Sequence, residues 1–394
     1  MDPAEPTQEQ QLLLLGARVQ LGTAHRDRIR DLLALEIDWD GLIQAARHHG
    51  VVPLLARNLH EVGRDRCPRH VLDDLQSESR LVLEKSFRLV AELGELLELL
   101  RSLGIPAVPF KGPVAAIAYY GDLGLRTFND LDLLVPEVSA REAWRLLVER
   151  GYEPQFPLEP GWREVHLRTG FEHLFRHRES GLPVDLHWHL MPPGYSFTPS
   201  SEEPWSRRET IRVGGREVET LAPEPMLLFL CLHGAKHDWS SLEWVCDVAE
   251  LIRARPALDW DVVLDWSSSP GRRRLVDLGL HLAHRLLGAS VPLHVLDRSG
   301  SDGELPAFLD EAARNPTAVG DVPAPTAWKR TVGSLFFRAM EHPRDRLRFL
   351  HDTFLLPTPL EWEMLPLPPS LAPVHYALRP VRLALKHAGL LGRR

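Results

Sequence analysis

Two aspartates, Asp130 and Asp132, lie on either side of a single leucine in the sequence RTFNDLDLLV at residues 126–135. Side chains alternate between the two faces of a β-strand, so a strand here would point both carboxylates to one side. Two like charges on one face repel each other unless a cation lies between them. The pattern predicts a divalent-metal site; the alternative is a pair of strand-end carboxylates that accept hydrogen bonds from backbone amides.

A second candidate site is the turn at Lys111 and Gly112, which follows an apolar run at residues 105–110 and precedes a predicted helix at residues 114–120. Backbone N–H groups at the start of a helix attract phosphate. Glycine lets the backbone approach a ligand closely, and lysine adds a full positive charge. Such turns are common before helices, so the turn alone is a weak indication of phosphate binding.

A third candidate is Asp185, in an apolar strand predicted at residues 183–190 that forms a hairpin with residues 171–177. A single aspartate in such a strand could simply pair with an arginine. If its strand lies beside the strand of Asp130 and Asp132, three carboxylates converge. Three carboxylates suit two Mg²⁺ ions that bridge the oxygens of a substrate phosphate.

Two pairs of histidines could serve the same site. His187 and His189 would share the strand face of the third aspartate, where they could tune its pKa or contact the substrate. His233 and His237 are four residues apart on a predicted helix and therefore share a face. They could form half of a zinc site, contact a nucleotide together with Lys236, or pack the helix through hydrogen bonds.

The order of these motifs resembles the DNA polymerase β-type nucleotidyltransferase superfamily and, more narrowly, the bacterial uncharacterised nucleotidyltransferase family. The motifs that carry the resemblance are Lys111-Gly112, Arg126 to Val135, Asp185-Leu186-His187-Trp188 and His233 to His237, with Trp239, Leu242 and Asp247. The resemblance spans most of residues 85–390. One departure is Pro113, which supplies neither the hydroxyl nor the amide that the superfamily usually places at this turn.

The resemblance implies an α+β fold, in which a polymerase β-like mixed sheet is flanked by helices and by helical N-terminal and C-terminal parts. It also implies that Asp130 and Asp132 ligate two Mg²⁺ ions, with Mn²⁺ as the alternative ion. Asp185 would ligate the catalytic metal and help to deprotonate the attacking hydroxyl. Lys111 and the amides near Gly112 would hold the β- and γ-phosphates.

The remaining nucleotide contacts implied by the resemblance come from Arg126, His233, Lys236 and His237. Arg126 has two open interpretations: it contacts a phosphate or the acceptor, or it orients Asp132 through a salt bridge. The expected reaction moves a nucleoside monophosphate from an NTP, expected to be ATP, to an acceptor and releases pyrophosphate. The acceptor would be a hydroxyl or phosphate on a small molecule, a peptide or protein, or an RNA end.

Two alternative functions use the same residues. The first is a non-catalytic module that binds a nucleotide, or a peptide of a biosynthetic cluster, without turnover. The second is a phosphotransferase that moves the γ-phosphate with the same metals and lysine. The intact set of three aspartates favours catalysis over the binding module.

Composition sets the broad class of the protein. The 394 residues are 44% hydrophobic and 25% charged, as in an ordinary globular protein, and the formal net charge of -8 argues against a general nucleic-acid binder. Three widely spaced cysteines and the lack of a signal peptide or an apolar stretch of membrane-spanning length predict a cytoplasmic protein without membrane spans. The pattern divides the chain into a helical region at 1–103, a catalytic domain at 104–222 and a helical domain at 223–394.

Several segments outside the motifs also have predicted structures. Residues 289–325 are rich in glycine, proline and aspartate and predict a loop, and the prolines of residues 356–373 predict irregular or extended chain. The basic tail at residues 379–394 predicts a short amphipathic helix that is solvated, with contact to membrane or RNA as the alternative. Trp239 and Trp244 are predicted to pack the helical domain.

Overall fold

The computed structural model describes residues 6–269, 271–319 and 333–387. Its helices are α1 (Gln8–Gly16), α2 (Thr23–Leu32), α3 (Trp39–His48), α4 (Val52–Gly63), α5 (Arg69–Ser102), α6 (Gly112–Ala115), α7 (Ala140–Glu149), α8 (Pro160–Thr169), α9 (Glu203–Ser206), α10 (Pro223–Lys236), α11 (Leu242–Ala254), α12 (Trp260–Ser267), α13 (Arg273–Leu287), α14 (Leu293–Asp297), α15 (Leu305–Ala312), α16 (Leu335–Ala339), α17 (Pro343–Phe354), α18 (Pro359–Met364) and α19 (Ala372–His387). Its strands are β1 (Val108–Pro109), β2 (Leu131–Leu134), β3 (Tyr152–Pro154), β4 (Glu172–His177), β5 (Pro183–His187), β6 (Arg208–Val213) and β7 (Arg216–Leu221).

A five-stranded sheet forms the centre of the molecule, in the order β1-β2-β5-β4-β3. Strands β2 and β5 are parallel, and the other neighbours are antiparallel. A mixed sheet with helices around it confirms the predicted α+β class. The predicted β4–β5 hairpin is present, but β5 ends at His187. His189 therefore lies beyond the strand, and its assignment to the strand face was wrong.

One face of the sheet is covered by the long helix α5 and by α7. Leucines of α5 recur at helical spacing, at positions 89, 93, 96 and 100, and are nearly inaccessible to solvent. They share a core with Leu131 and Leu133 of β2 and with Val184 and Leu186 of β5. Because these apolar side chains occupy one face, the alternating residues of β2 and β5 point to the opposite face.

A second core joins the two ends of the chain. Buried residues of α1, α3 and α4 belong to the same apolar cluster as those of α10, α11 and α13. Hydrogen bonds also connect these N-terminal and C-terminal helices. Arg18 Nη2 donates to the carbonyl of Leu286, and the N–H of Val19 donates to Glu250 Oε1 at 3.0 Å. The division at residues 103 and 222 remains a prediction.

Two segments predicted to lack regular structure contain helices. Residues 289–319, the described part of the predicted loop, contain α14 and α15, which bury Val295 and the pair Leu305 and Phe308, respectively, in the helical core. Within residues 356–373, the helix α18 begins at a capping box formed by Thr358 and Glu361. In both segments a proline occupies the first helical turn or the position just before it, where it favours a helix start.

The basic tail also differs from its predicted solvated state. Arg379 and Arg382 of α19 are buried and form ion pairs with Glu361, which is itself inaccessible to solvent. The side chains of Lys386, Arg393 and Arg394, the other basic residues of this prediction, lie outside the described residues. Among the described helices, none has the length and apolar character needed to cross a membrane.

Candidate functional site

Strands β2 and β5 bring two of the predicted carboxylates together. The parallel register places Asp132 directly beside Asp185, although 53 positions separate them in the chain. His187 follows two residues later on β5 and therefore points to the same face. One ligand-type atom from each of Asp132, Asp185 and His187 lies within 4.8 Å of the others, so the three residues could hold a metal ion.

The Lys111–Gly112 turn lies against this group of side chains. Lys111 Nζ is 2.6 Å from Asp132 Oδ1. Gly112 begins α6 with φ +50, in the left-handed region that favours glycine. A Cβ at this position would lie 3.2 Å from the carbonyl oxygen of Asp130, a tight contact. Glycine therefore lets the helix start approach the residues that precede β2.

The two carboxylates of the Asp-Leu-Asp motif have opposite electrostatic environments. Burial, followed by the charge of Asp132, raises the pKa of Asp130 to about 6. Burial acts in the same direction on Asp132, but the nearby Lys111 and His187 outweigh it and hold the pKa of Asp132 well below its usual range. A negative charge thus persists on Asp132, while Asp130 lacks a cation close enough to offset burial.

His187 connects the acidic groups of the site. Its Nε2 lies 3.1 Å from Asp132 Oδ1 and 3.5 Å from Asp185 Oδ2, and its Nδ1 lies 3.4 Å from Glu172 Oε2. Burial disfavours the imidazolium, but the surrounding carboxylates outweigh burial and raise the pKa of His187 to about 10. The predicted influence between this histidine and the aspartate two residues before it therefore has a geometric basis.

The donor set fits a divalent cation. Oδ1 of Asp185 is buried and has no hydrogen-bond partner among the described residues, which is costly unless another group binds this oxygen. Asp130 supplies a further carboxylate to the same cavity, with a pKa raised by burial and by Asp132. A hard cation with oxygen ligands would satisfy the free oxygen and offset the repulsion between the carboxylates.

A cavity of about 380 Å³ contains the whole constellation. All nine sequence-predicted site residues line it: Lys111, Gly112, Arg126, Asp130, Asp132, Asp185, His233, Lys236 and His237. The sheet supplies one wall, and the helices α10 and α11 supply the facing wall. The helical region after the sheet therefore closes the cavity on that side.

Arg126 lines the cavity, but its ion-pair partner is Asp247 of α11. Arg126 Nε and Nη2 donate to the two carboxylate oxygens of Asp247, each at 2.7 Å. The hydroxyl of Tyr120 donates to Asp247 Oδ1, also at 2.7 Å. The alternative in which Arg126 orients Asp132 by a salt bridge was wrong, because α11 packs close enough to supply its own buried carboxylate.

The three predicted residues of α10 have different environments. His233 is partly buried, and burial together with the charge of Lys111 lowers its pKa well below the usual value, so the ring is neutral. Lys236 Nζ lies 4.7 Å from the centroid of the Phe171 ring, and burial lowers its pKa. His237 is exposed at the end of α10. Among the described residues, the group able to share a metal ion does not include His233 or His237.

The cavity is also lined by Glu172, Glu243, Trp244 and Asp247, which were not predicted as site residues from the sequence. Glu243 and Asp247 are four residues apart in an otherwise apolar stretch of α11, and this spacing was an available signal. Trp244 is only partly buried and lines the cavity, whereas Trp239 is fully buried as predicted. The prediction that Trp244 packs the helical domain is confirmed, because this residue packs against the core of α10, α11 and α13, and it also lines the cavity.

The match to a protein-family model agrees with the chemistry of this cavity. The model of a family described as uncharacterised nucleotidyltransferase matches residues 36–288, and no curated protein matches the chain significantly. Solved structures similar to the chain include the lincosamide antibiotic adenylyltransferase LnuA with bound lincomycin, at 17% identity and a TM-score of 0.27 over 35% of this chain and 84% of that chain. They also include the antibiotic-resistance factor ANT(2'')-Ia, at 16% identity and a TM-score of 0.33 over 50% and 95% of the two chains. A third is an antigenic nucleotidyltransferase-like protein from Paracoccidioides brasiliensis, at 16% identity and a TM-score of 0.31 over 57% of this chain and 92% of that chain.

Proposed function

Because the chain belongs to the uncharacterised nucleotidyltransferase family and is a nucleotidyltransferase, we propose that it moves a nucleoside monophosphate from an NTP to an acceptor. The donor in this proposal is ATP with Mg²⁺, and the second product is pyrophosphate. The observation that carries the proposal is the in-register pair Asp132 and Asp185 on neighbouring parallel strands, with Lys111 Nζ 2.6 Å from Asp132. This arrangement combines carboxylates for a cation with a lysine for phosphate in one cavity.

In this proposal the aspartates Asp130, Asp132 and Asp185 hold Mg²⁺, with Mn²⁺ as a substitute. The bound cation would polarise the α-phosphate and offset the charge that develops on pyrophosphate. The free Oδ1 of Asp185 supports its assignment as a ligand. His187 Nε2 donates a hydrogen bond to Asp132 Oδ1 and lies 3.5 Å from Asp185 Oδ2, which orients the first carboxylate and places a positive charge beside the second.

The phosphates are assigned to the positively charged residues of the cavity. Lys111 and the backbone at Gly112 would hold the β- and γ-phosphates, with Gly112 allowing the close approach. Lys236 supplies a second ammonium from α10, and Arg126 supplies a guanidinium that Asp247 already holds in a fixed orientation. Pro113, the departure from the usual turn, leaves the amide of Gly112 as the donor at the helix start.

The acceptor is a hydroxyl or phosphate on a small molecule, a peptide or protein, or an RNA end. The net charge of -8 disfavours long nucleic acid as the acceptor. We also propose a cytoplasmic location, which is supported by three cysteines that are all buried and unpaired.

The proposal is tested by incubating the protein with each NTP, labelled at the α-phosphate, together with Mg²⁺ and a panel of hydroxyl and phosphate acceptors. We expect label to move to an acceptor with release of pyrophosphate. The double variant Asp130→Asn and Asp132→Asn should lose transfer by at least about 1,000-fold and remain folded, because asparagine cannot offer the anionic oxygens that the cation requires.

A matched control replaces two neighbouring exposed aspartates of α5, Asp73→Asn and Asp74→Asn, and should leave transfer unchanged. Parallel reactions with label on the γ-phosphate separate the alternatives. Transfer of the γ-label would identify a phosphotransferase, and nucleotide binding without any transfer would identify a binding module. Full Mg²⁺-dependent transfer by the Asp130/Asp132 double variant would contradict the proposed site.

A further inference from the structure

A row of aromatic rings forms the wall of the cavity that faces the carboxylates. Phe229, His233 and His237 follow each other at intervals of four residues along α10 and at its end, so they lie on one face of the helix. Their ring centroids are 5.3 Å apart for the first pair and 4.7 Å apart for the second. The row ends at Trp244 of α11, whose ring lies 5.0 Å from that of His237 at an angle of 30°.

The exposure of the last two rings distinguishes them from core residues. Trp239, in the loop between α10 and α11, is fully buried and belongs to the core. By contrast, His237 is exposed and Trp244 is partly exposed, and both line the cavity. A ring pair that served only for packing would be covered by protein, whereas this pair presents aromatic surface to the cavity.

The other end of the row lies beside the lysine proposed to bind phosphate. Lys111 Nζ is 5.5 Å from the ring centroids of both Phe110 and Phe229. The wall therefore runs from a positive charge to a flat aromatic pair. An NTP has the complementary arrangement, because its phosphates and its planar base lie at opposite ends of the molecule.

From this complementarity we infer that the His237–Trp244 ring pair is the platform on which the nucleobase of the NTP stacks. The inference rests on the proposed function and adds to it the position of the base. Stacking on an aromatic side chain is available to every nucleobase, because each has a π-face. The platform therefore gives affinity for nucleotides without by itself selecting one base.

The loop between α10 and α11 holds the platform in place. Asp238 and Trp239 both have positive φ, 55° and 49°, which is strained for residues other than glycine. The strain is maintained by tertiary contacts: Asp238 Oδ1 accepts a hydrogen bond from the N–H of Phe336 at 2.7 Å, and Trp239 fills a buried site. His237 and Trp244 are therefore oriented before a ligand arrives, which reduces the entropy lost on binding.

The test measures binding of two probes by calorimetry in the presence of Mg²⁺. The first probe is α,β-methylene-ATP, which carries a base, and the second is inorganic tripolyphosphate, which does not. We expect Trp244→Leu to reduce the affinity for the nucleotide analogue by roughly 10-fold or more. Its affinity for tripolyphosphate should be the same as that of the wild type. Trp244→Phe keeps an aromatic ring and should retain most of the affinity for the analogue.

The control is Trp260→Leu, which changes a partly buried tryptophan that packs against the same core and does not line the cavity. It should bind both probes as the wild type does. Unchanged affinity of Trp244→Leu for the analogue would overturn the inference, and so would an equal loss for tripolyphosphate, because that loss would indicate structural damage. Failure of the proposed function looks different: the wild-type protein would bind neither probe, or it would bind the analogue but transfer no label from ATP labelled at the α-phosphate.

Discussion

At the scale of single residues, the cavity is organised by how each charge is paired. Asp132 has two cationic neighbours and Asp247 has a bidentate arginine and a tyrosine hydroxyl, whereas Glu243 has no ion-pair partner among the described residues. An unpaired carboxylate is expensive to bury, and it responds by holding its proton to a higher pH. Burial accordingly raises the pKa of Glu243 to about 7.

The raised pKa of Glu243 predicts a pH-dependent stability. Between pH 4.5, its ordinary pKa, and about 7, the folded protein holds a proton that the unfolded chain releases. The stability that this proton contributes is complete below pH 4.5 and is lost as the pH rises through 7. Glu243→Gln cannot ionise, so its melting temperature relative to that of the wild type should increase as the pH rises from 5 to 8. The corresponding gain in free energy of unfolding is at most about 3 kcal/mol.

This prediction is checked by calorimetric melting at a series of pH values in the presence of a chelator. Arg126 and the carboxylates of Asp247 and Asp130 face Glu243. These three groups are present in both proteins, so the difference in stability between wild type and variant reports the charge of residue 243. A difference in melting temperature that stays constant from pH 5 to pH 8 would show that Glu243 does not titrate as the structure indicates.

At the scale of elements, the position of α10 depends on how closely it approaches Trp239. Gly234 of α10 and Gly279 of α13 leave room for the indole ring of Trp239. A Cβ on Gly279 would lie 2.9 Å from that ring, and one on Gly234 would overlap it. These glycines are needed for close packing, and the packing places His233 and Lys236 in the cavity.

We therefore expect Gly234→Ala to destabilise the protein although alanine favours helices. Overpacking costs about 3 kcal/mol and the gain in helix propensity is about 1 kcal/mol, so the net loss should be about 2 kcal/mol. Denaturant unfolding measures it. Gly94→Ala in α5 is the control, because the atoms nearest to a Cβ there belong to the flexible side chain of Arg216. Equal stability of the two variants would contradict the packing argument.

At the scale of the whole molecule, segments distant in sequence hold each other in place. The N-terminal helices share a core with α10, α11 and α13, and the C-terminal helix α19 reaches back to the region of α8. There, Trp162 stacks on Trp362 with ring centroids 4.7 Å apart at 16°. Glu361, next to this stack, is inaccessible to solvent and pairs with Arg379 and Arg382.

Loss of this ion pair should release the C-terminal helix. Glu361→Ala leaves two buried guanidinium groups without a counter-charge, which costs about 3–5 kcal/mol. We expect faster trypsin cleavage after Arg382 than in the wild type, measured by mass spectrometry of a limited digest. Glu363→Ala, an exposed neighbour, should be cleaved at the wild-type rate. If both variants resist trypsin equally, the pairing does not anchor α19.

Short sequence patterns predict the local structure around each motif. The Asp-Leu-Asp alternation predicts a strand with both carboxylates on one face, and the Lys111–Gly112 turn predicts a helix start able to meet phosphate. These patterns act over a few residues, where backbone geometry fixes which side chains are neighbours. For this reason the mixed α+β class, the β4–β5 hairpin and the family were accessible from sequence alone.

Only the tertiary structure decided which distant groups meet. Arg126 pairs with Asp247 across 121 positions, and His187 bridges Asp132 and Asp185, because the helices and strands pack in one particular arrangement. Packing also gives residues of the same type different environments, since Trp239 is buried while Trp244 lines the cavity. The sequence determined the chemical groups and their local spacing, whereas partner choice and burial depend on contacts between elements that no local pattern encodes.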